Sequence, residues 1–112
     1  MNTTNVKGMQ LGGATDSSLF TIRQRQILAG LIGVTQQLAE HQAEDHTVLE
    51  ALTDLGLHDL IESVAIEKPA AMFEYIYDNT HRLVVQWVHP DHHYSVMHAF
   101  GKALGEALQD LS

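Results

Sequence analysis

Apolar side chains recur at helical spacing in several separate blocks of this chain. The broadest block runs from Pro69 to Val88, where Met72, Phe73, Ile76, Tyr77, Leu83, Val84, Trp87 and Val88 fall within one half of a helical wheel. Glu74, Asp78, Asn79, His81, Arg82 and Gln86 fill the other half, and Tyr75 and Val85 break the division. This segregation predicts an amphipathic helix with a wide buried stripe. The block also holds the single tryptophan, which places the expected centre of the core here.

A period of two also fits part of the same block. As a hairpin, Phe73, Tyr75, Tyr77, Leu83, Val85 and Trp87 would share a face, with Asp78-Asn79-Thr80-His81 as the turn. The opposite face would then mix Ile76, Val84 and Val88 with Glu74, Arg82 and Gln86. The helix leaves fewer misfits, and Pro69 suits a helical first turn. The fold class is therefore mostly α, a single-domain bundle of four to five helices. The alternative is an α+β fold with an antiparallel hairpin at 73–88 packed on the N- and C-terminal helices.

The other blocks read as helices in turn. Ser17 and Ser18 are placed to cap a helix from near Leu19 to about Ala43. Its stripe is Phe20, Ile27, Leu31, Val34 and Leu38, widened by Leu28, Ile32 and Ala39 and interrupted by Gln24. Thr47 and Glu50 have capping-box spacing and predict a short helix to Leu55, ended by Gly56. Asp59 and Glu62 repeat that spacing. Leu57, Leu60, Ile61, Val64 and Ala65 then form one side of a third helix, stopped at Lys68-Pro69. Beyond His89-Pro90, Asp91 is placed to cap a last helix from His92 to about Asp110. Its stripe is Met97, Phe100, Leu104, Leu108 and Leu111, with Lys102 and Glu106 paired on the solvent side. Gly101 and Gly105, at the edge of that stripe, would let another backbone approach. Residues 1–16, rich in Gly, Thr and Asn, read as a flexible tail, and 17–112 as one helical domain whose two short helices form an acidic cap.

Composition narrows the function classes. A chain of 112 residues, 45% hydrophobic and 18% charged, is the size and make-up of one folded domain. With no cysteine, disulfides, Fe–S clusters and thiol catalysis are excluded, which fits a cytoplasmic protein. A net charge of −8 repels phosphate backbones and anionic membranes, so neither direct nucleic-acid nor membrane binding is expected. The longest apolar run, Ile27 to Val34, is far short of the ~20 residues of a membrane span. The first residues lack the apolar segment of a signal peptide. The 8 histidines would carry the chain towards neutrality, and lower solubility, below about pH 6.

Little in the sequence points to chemistry. His89, His92 and His93, followed by His98, supply the imidazoles that suit Zn, Ni, Cu or Fe. Adjacent helical residues point about 100° apart, however, so His92 and His93 cannot converge through spacing alone. Solvated imidazoles are the plainer reading, and no cofactor is expected. His46/Glu50 and His58/Glu62 have the i,i+4 spacing of helical metal carboxylates but read as surface pairs. No nucleophile elbow, phosphate loop or H-E-x-x-H is present, so the chain is expected not to be an enzyme.

Charge placement is the clearer signal. From Glu40 to Glu67 the ionic residues are Glu40, Glu44, Asp45, Glu50, Asp54, Asp59, Glu62 and Glu67, with no lysine or arginine among them. Such a run either keeps a small protein soluble or docks a basic partner, and Glu50, Asp54, Asp59 and Glu62 are the candidate contacts. That partner would be a protein, including a nucleic-acid-binding domain sequestered by phosphate mimicry. Stripes wider than one small layer needs further predict a homodimer formed through the first or last helix. The leading expectation is a small acidic, non-enzymatic interaction or regulatory protein. The alternative is a metal- or small-ligand-binding helical protein using the histidine-rich 89–98 region.

Overall fold

The segment between the two prolines is one unbroken helix. The computed structural model describes residues 20–111, and it places α4 over Pro69–Trp87 with the proline in the first turn. The other helices are α1 (Ile22–Glu40), α2 (Asp45–Asp54), α3 (Leu57–Ser63) and α5 (His93–Leu111), the last entered through a 3₁₀ turn at Pro90–His92. Among the described residues there is no strand, so the hairpin at 73–88 does not form. The expected tail at 1–16 and the Ser17/Ser18 cap lie outside the described residues.

The supposed turn at 78–81 is helical because its polar groups find partners on the helix itself. Thr80 Oγ donates to Ile76 O at 2.7 Å and Asn79 Nδ2 to Tyr75 O at 2.9 Å. Both residues are buried, so the face of α4 that enters the core includes two residues that pattern reading had put in solvent or in a turn. Trp87, expected inside, is 49% exposed. The core is centred on α5 rather than α4. Val96, Phe100, Leu104 and Ala107 are fully enclosed there, and α5 packs against α1, α2 and α4. The reason is geometric: α5 lies between the other helices, whereas α4 closes one side of the bundle.

Several boundaries differ from the sequence expectation, each for a local reason. Helix α1 opens at Thr21, whose Oγ accepts from Gln24 N at 3.1 Å while Gln24 Oε1 accepts from Thr21 N at 2.9 Å. Gln24 also donates to Ser63 Oγ at 3.0 Å, tying the start of α1 to the end of α3. The residue that interrupted the apolar stripe is thus a buried connector. Helix α1 stops at Glu40, short of Ala43, because Gln42 takes a left-handed φ of 55°. The reversal sends Ala43 N to Leu38 O and Gln42 N to Ala39 O, a Schellman closure built without glycine.

Neither expected capping box after α1 forms. Helix α2 begins with Glu44 as cap, and Thr47 lies inside the first turn with its N–H on Glu44 O. Gly56, with φ 109°, separates α2 from α3 as expected but also caps α3, so Asp59 is a first-turn residue rather than a cap. At the last helix, Asp91 donates its N–H to His89 Nδ1 at 3.1 Å, so the imidazole takes the capping role expected of the aspartate. Lys102 pairs with Asp45 of α2 at 3.1 Å instead of with Glu106. At the Gly101/Gly105 edge no backbone of another element among the described residues lies within 4 Å of where a Cβ would sit. The stacked rings of Phe73 and Tyr77, 5.4 Å apart, lie against it.

Candidate functional site

The histidine-rich corner is built by the turn between α4 and α5. His89 is held by Asp91 N and lies 3.6 Å from Asp91 Oδ2, exposed on both sides. His92 stands 6.2 Å from His89 between ring centroids, with Nε2 3.9 Å from Glu40 Oε2 of α1. His93 is directed elsewhere: its Nε2 lies 2.7 Å from Val88 O. A carbonyl can only accept, so that nitrogen carries the proton and its lone pair is not free for a metal. His98 stacks on Tyr94 at 5.7 Å. Among the described residues, no three histidine, aspartate or glutamate side chains are grouped to hold a metal ion. The arrangement does mechanical work, closing the end of α4 and starting α5.

The acidic face follows from α2 and α3 exposing their polar sides while Val48, Leu52, Leu57, Leu60 and Ile61 enter the core. All eight carboxylates from Glu40 to Glu67 are exposed. Asp45 meets Lys102, while Glu40 and Glu44 lie near His92 and His46. No described ion pair involves Glu50, Asp54, Asp59 or Glu62. Glu50 and Asp54, one turn apart on α2, line a shallow depression of about 310 Å³ with His46, Leu49, His58 and Asp110. Asp59 and Glu62 sit on α3 outside it.

Two members of that depression were not legible in the sequence. Asp110 arrives from the end of α5, and only packing brings it beside α2. The sequence spacing pairs His58 with Glu62, yet the structure turns it towards α2, with Nε2 buried and without a hydrogen-bond partner among the described residues. No helix among the described residues is long and apolar enough to cross a membrane. Comparison of the chain with protein-family models, curated protein sequences and solved structures gives no match.

Proposed function

We propose that this chain is a non-enzymatic interaction protein of regulatory type, docking a basic partner protein on the α2–α3 face and acting as a homodimer. The observation that supports it is the set of exposed carboxylates at Glu50, Asp54, Asp59 and Glu62, none of them in a described ion pair. Exposed, unpaired carboxylates contribute little to stability, since even paired surface ions contribute only about 0–1 kcal/mol. Its physical effect lies in long-range attraction, which raises association rates and fades beyond a Debye length of roughly 8 Å at physiological salt.

The test starts by identifying the partner through pull-down from the native host and mass spectrometry. Affinity is then measured across ionic strength for the natural chain and for the combined variant Glu50→Gln, Asp54→Asn, Asp59→Asn, Glu62→Gln. The variant should keep its helical circular dichroism, bind at least about tenfold more weakly and lose most of its salt dependence. Unchanged affinity in the variant would leave the face as mere solvation. Elemental analysis of untagged protein addresses the alternative: stoichiometric metal would favour the reading through His89, His92 and His93.

A further inference from the structure

The chain carries 14 acidic residues against 6 basic ones, yet two of its arginines border a single recess that no acid lines. Arg25 comes from α1 and Arg82 from α4, joined by Asn79, Gln86, Phe20 and Leu83 around about 170 Å³. Phe20, Leu83 and Asn79 are buried at 6%, 8% and 5% exposure, so the recess has an apolar floor with an amide set into it. Among the described residues, neither arginine takes part in an ion pair.

Stability alone does not explain this placement. Arg25 lies near the N-terminus of α1, whose first turn contains no acid, and the helix dipole there disfavours cations. Asp78 lies one turn before Arg82 on α4, yet no ion pair among the described residues joins the two. What the recess offers is a pair of guanidinium forks, two side-chain amides and an apolar floor, with no carboxylate among its described lining residues. Guanidinium forks match the two oxygens of a carboxylate in one plane. The volume is close to the ~150 Å³ of a cavity known to hold benzene, so the body attached to that carboxylate is a single small ring or short chain.

We infer that the recess between α1 and α4 is a binding site for a small organic carboxylate with an apolar body, its anion held by Arg25 and Arg82 and its body against Phe20 and Leu83. The site is independent of the acidic α2–α3 face and stands or falls separately from the proposed docking function.

The probe is benzoate, titrated into the full chain by calorimetry and by NMR of the arginine Hε and side-chain amide signals. Benzyl alcohol serves as the neutral analogue, and inorganic phosphate as an anion without an apolar body. Benzoate should bind saturably in about the millimolar range or tighter, shifting the Arg25, Arg82 and Asn79 signals. Arg25→Gln and Arg82→Gln should each weaken it by about tenfold or more. Arg23→Gln changes net charge by the same amount on the same helical turn, but that arginine is outside the recess and its variant should bind as the natural chain does.

Equal weakening by Arg23→Gln would reduce the effect to diffuse attraction and overturn the site. Benzyl alcohol binding as well as benzoate would make the recess a plain apolar cavity, and phosphate binding in place of benzoate would refute the carboxylate assignment. Absence of saturable benzoate binding would refute it outright. Because benzoate and benzyl alcohol are compared on the unaltered chain, the outcome does not depend on any variant folding.

Discussion

The glycines of this bundle offer a sharp test of its packing, because each would respond differently to the same added methyl group. A Cβ built on Gly30 or Gly33 of α1 meets nothing within 4 Å. Alanine there should stabilise the protein by about 1 kcal/mol per site, the difference in helix propensity. At Gly105 the new carbon would lie 4.0 Å from Phe73 Cε2, an ordinary contact, and a similar gain is expected. At Gly101 it would lie 3.1 Å from Tyr77 Cε2 and 3.6 Å from Cδ2.

Carbon atoms pack at about 3.5–4.0 Å, so the Tyr77 ring would have to retreat by roughly half an ångström. It is not free to do so, being stacked on Phe73 with rings 5.4 Å apart and 18° from parallel. Overpacking of this kind costs about 1–3 kcal/mol against a propensity gain of about 1 kcal/mol. Gly101→Ala should therefore be destabilising by about 1 kcal/mol, and some 2 kcal/mol below Gly105→Ala. In urea denaturation this appears as opposite shifts of midpoint at constant slope, and in thermal melts as about 4–8 °C per kcal/mol. Tyr77→Leu should remove the penalty, giving a coupling of about 2 kcal/mol in a double-mutant cycle. If Gly101→Ala melted together with Gly105→Ala, the rings would not lie over α5 as described.

Three further outcomes follow from particular contacts. Gln24→Ala keeps its own N–H on Thr21 Oγ but loses the Oε1 that accepts from Thr21 N and the Nε2 that donates to Ser63, and should lower stability by about 1–3 kcal/mol in urea titrations, more than the roughly 1 kcal/mol of Thr21→Ala. Gln42→Gly relieves the left-handed φ of 55° and should raise stability by about 1 kcal/mol, whereas Gln42→Ala should not. Burial pushes the Tyr75 phenol above its ordinary 10.0, against the lowering effect of Arg82. The unfolded chain then loses that proton first, so stability falls as pH rises from 10 towards the folded value and is unaffected below. Tyr75→Phe should remove that alkaline slope, and Arg82→Gln should raise the tyrosinate transition further, both readable by absorbance titration.

How much of this was legible in the sequence depended on whether a residue's role is local. Pro69 at the start of α4 and Gly56 with its positive φ could be read directly, because each acts through its own backbone. The failures share a cause. Gln24, Asn79 and Thr80 are polar, and an amphipathic count sends polar residues outward, yet each satisfies its hydrogen bonds on nearby helical backbone or on Ser63 and can stay inside. The end of α1 was missed because its left-handed residue is glutamine, not glycine. For the acidic face, exposure was legible from the run of acids itself. Its partner Asp110 and the recess flanked by Arg25 and Arg82 were not, since they unite residues more than fifty positions apart.

The separation of the two charged surfaces has a consequence for assembly. Where elements of opposite charge meet, the fold does pair them, as Lys102 and Asp45 show. Among the described residues Arg25 and Arg82 nevertheless take part in no ion pair, while Glu50, Asp54, Asp59 and Glu62 are exposed on α2 and α3. A neighbouring copy could in principle bring such a carboxylate to such an arginine. That contact would be head-to-tail, and head-to-tail contacts that do not close grow into open chains. A homodimer held by apolar burial behaves differently, because burial is little affected by moderate salt whereas exposed charge pairs are screened. The proposed homodimer should therefore give twice the chain mass by light scattering at both low and physiological ionic strength. Mass that climbs with concentration at low salt and collapses on adding salt would show the acidic face filling the arginine recess of the next molecule. It would overturn the homodimer and make a second copy of this chain the partner of the acidic face, while the small-molecule ligand of the recess is decided by benzoate titration alone.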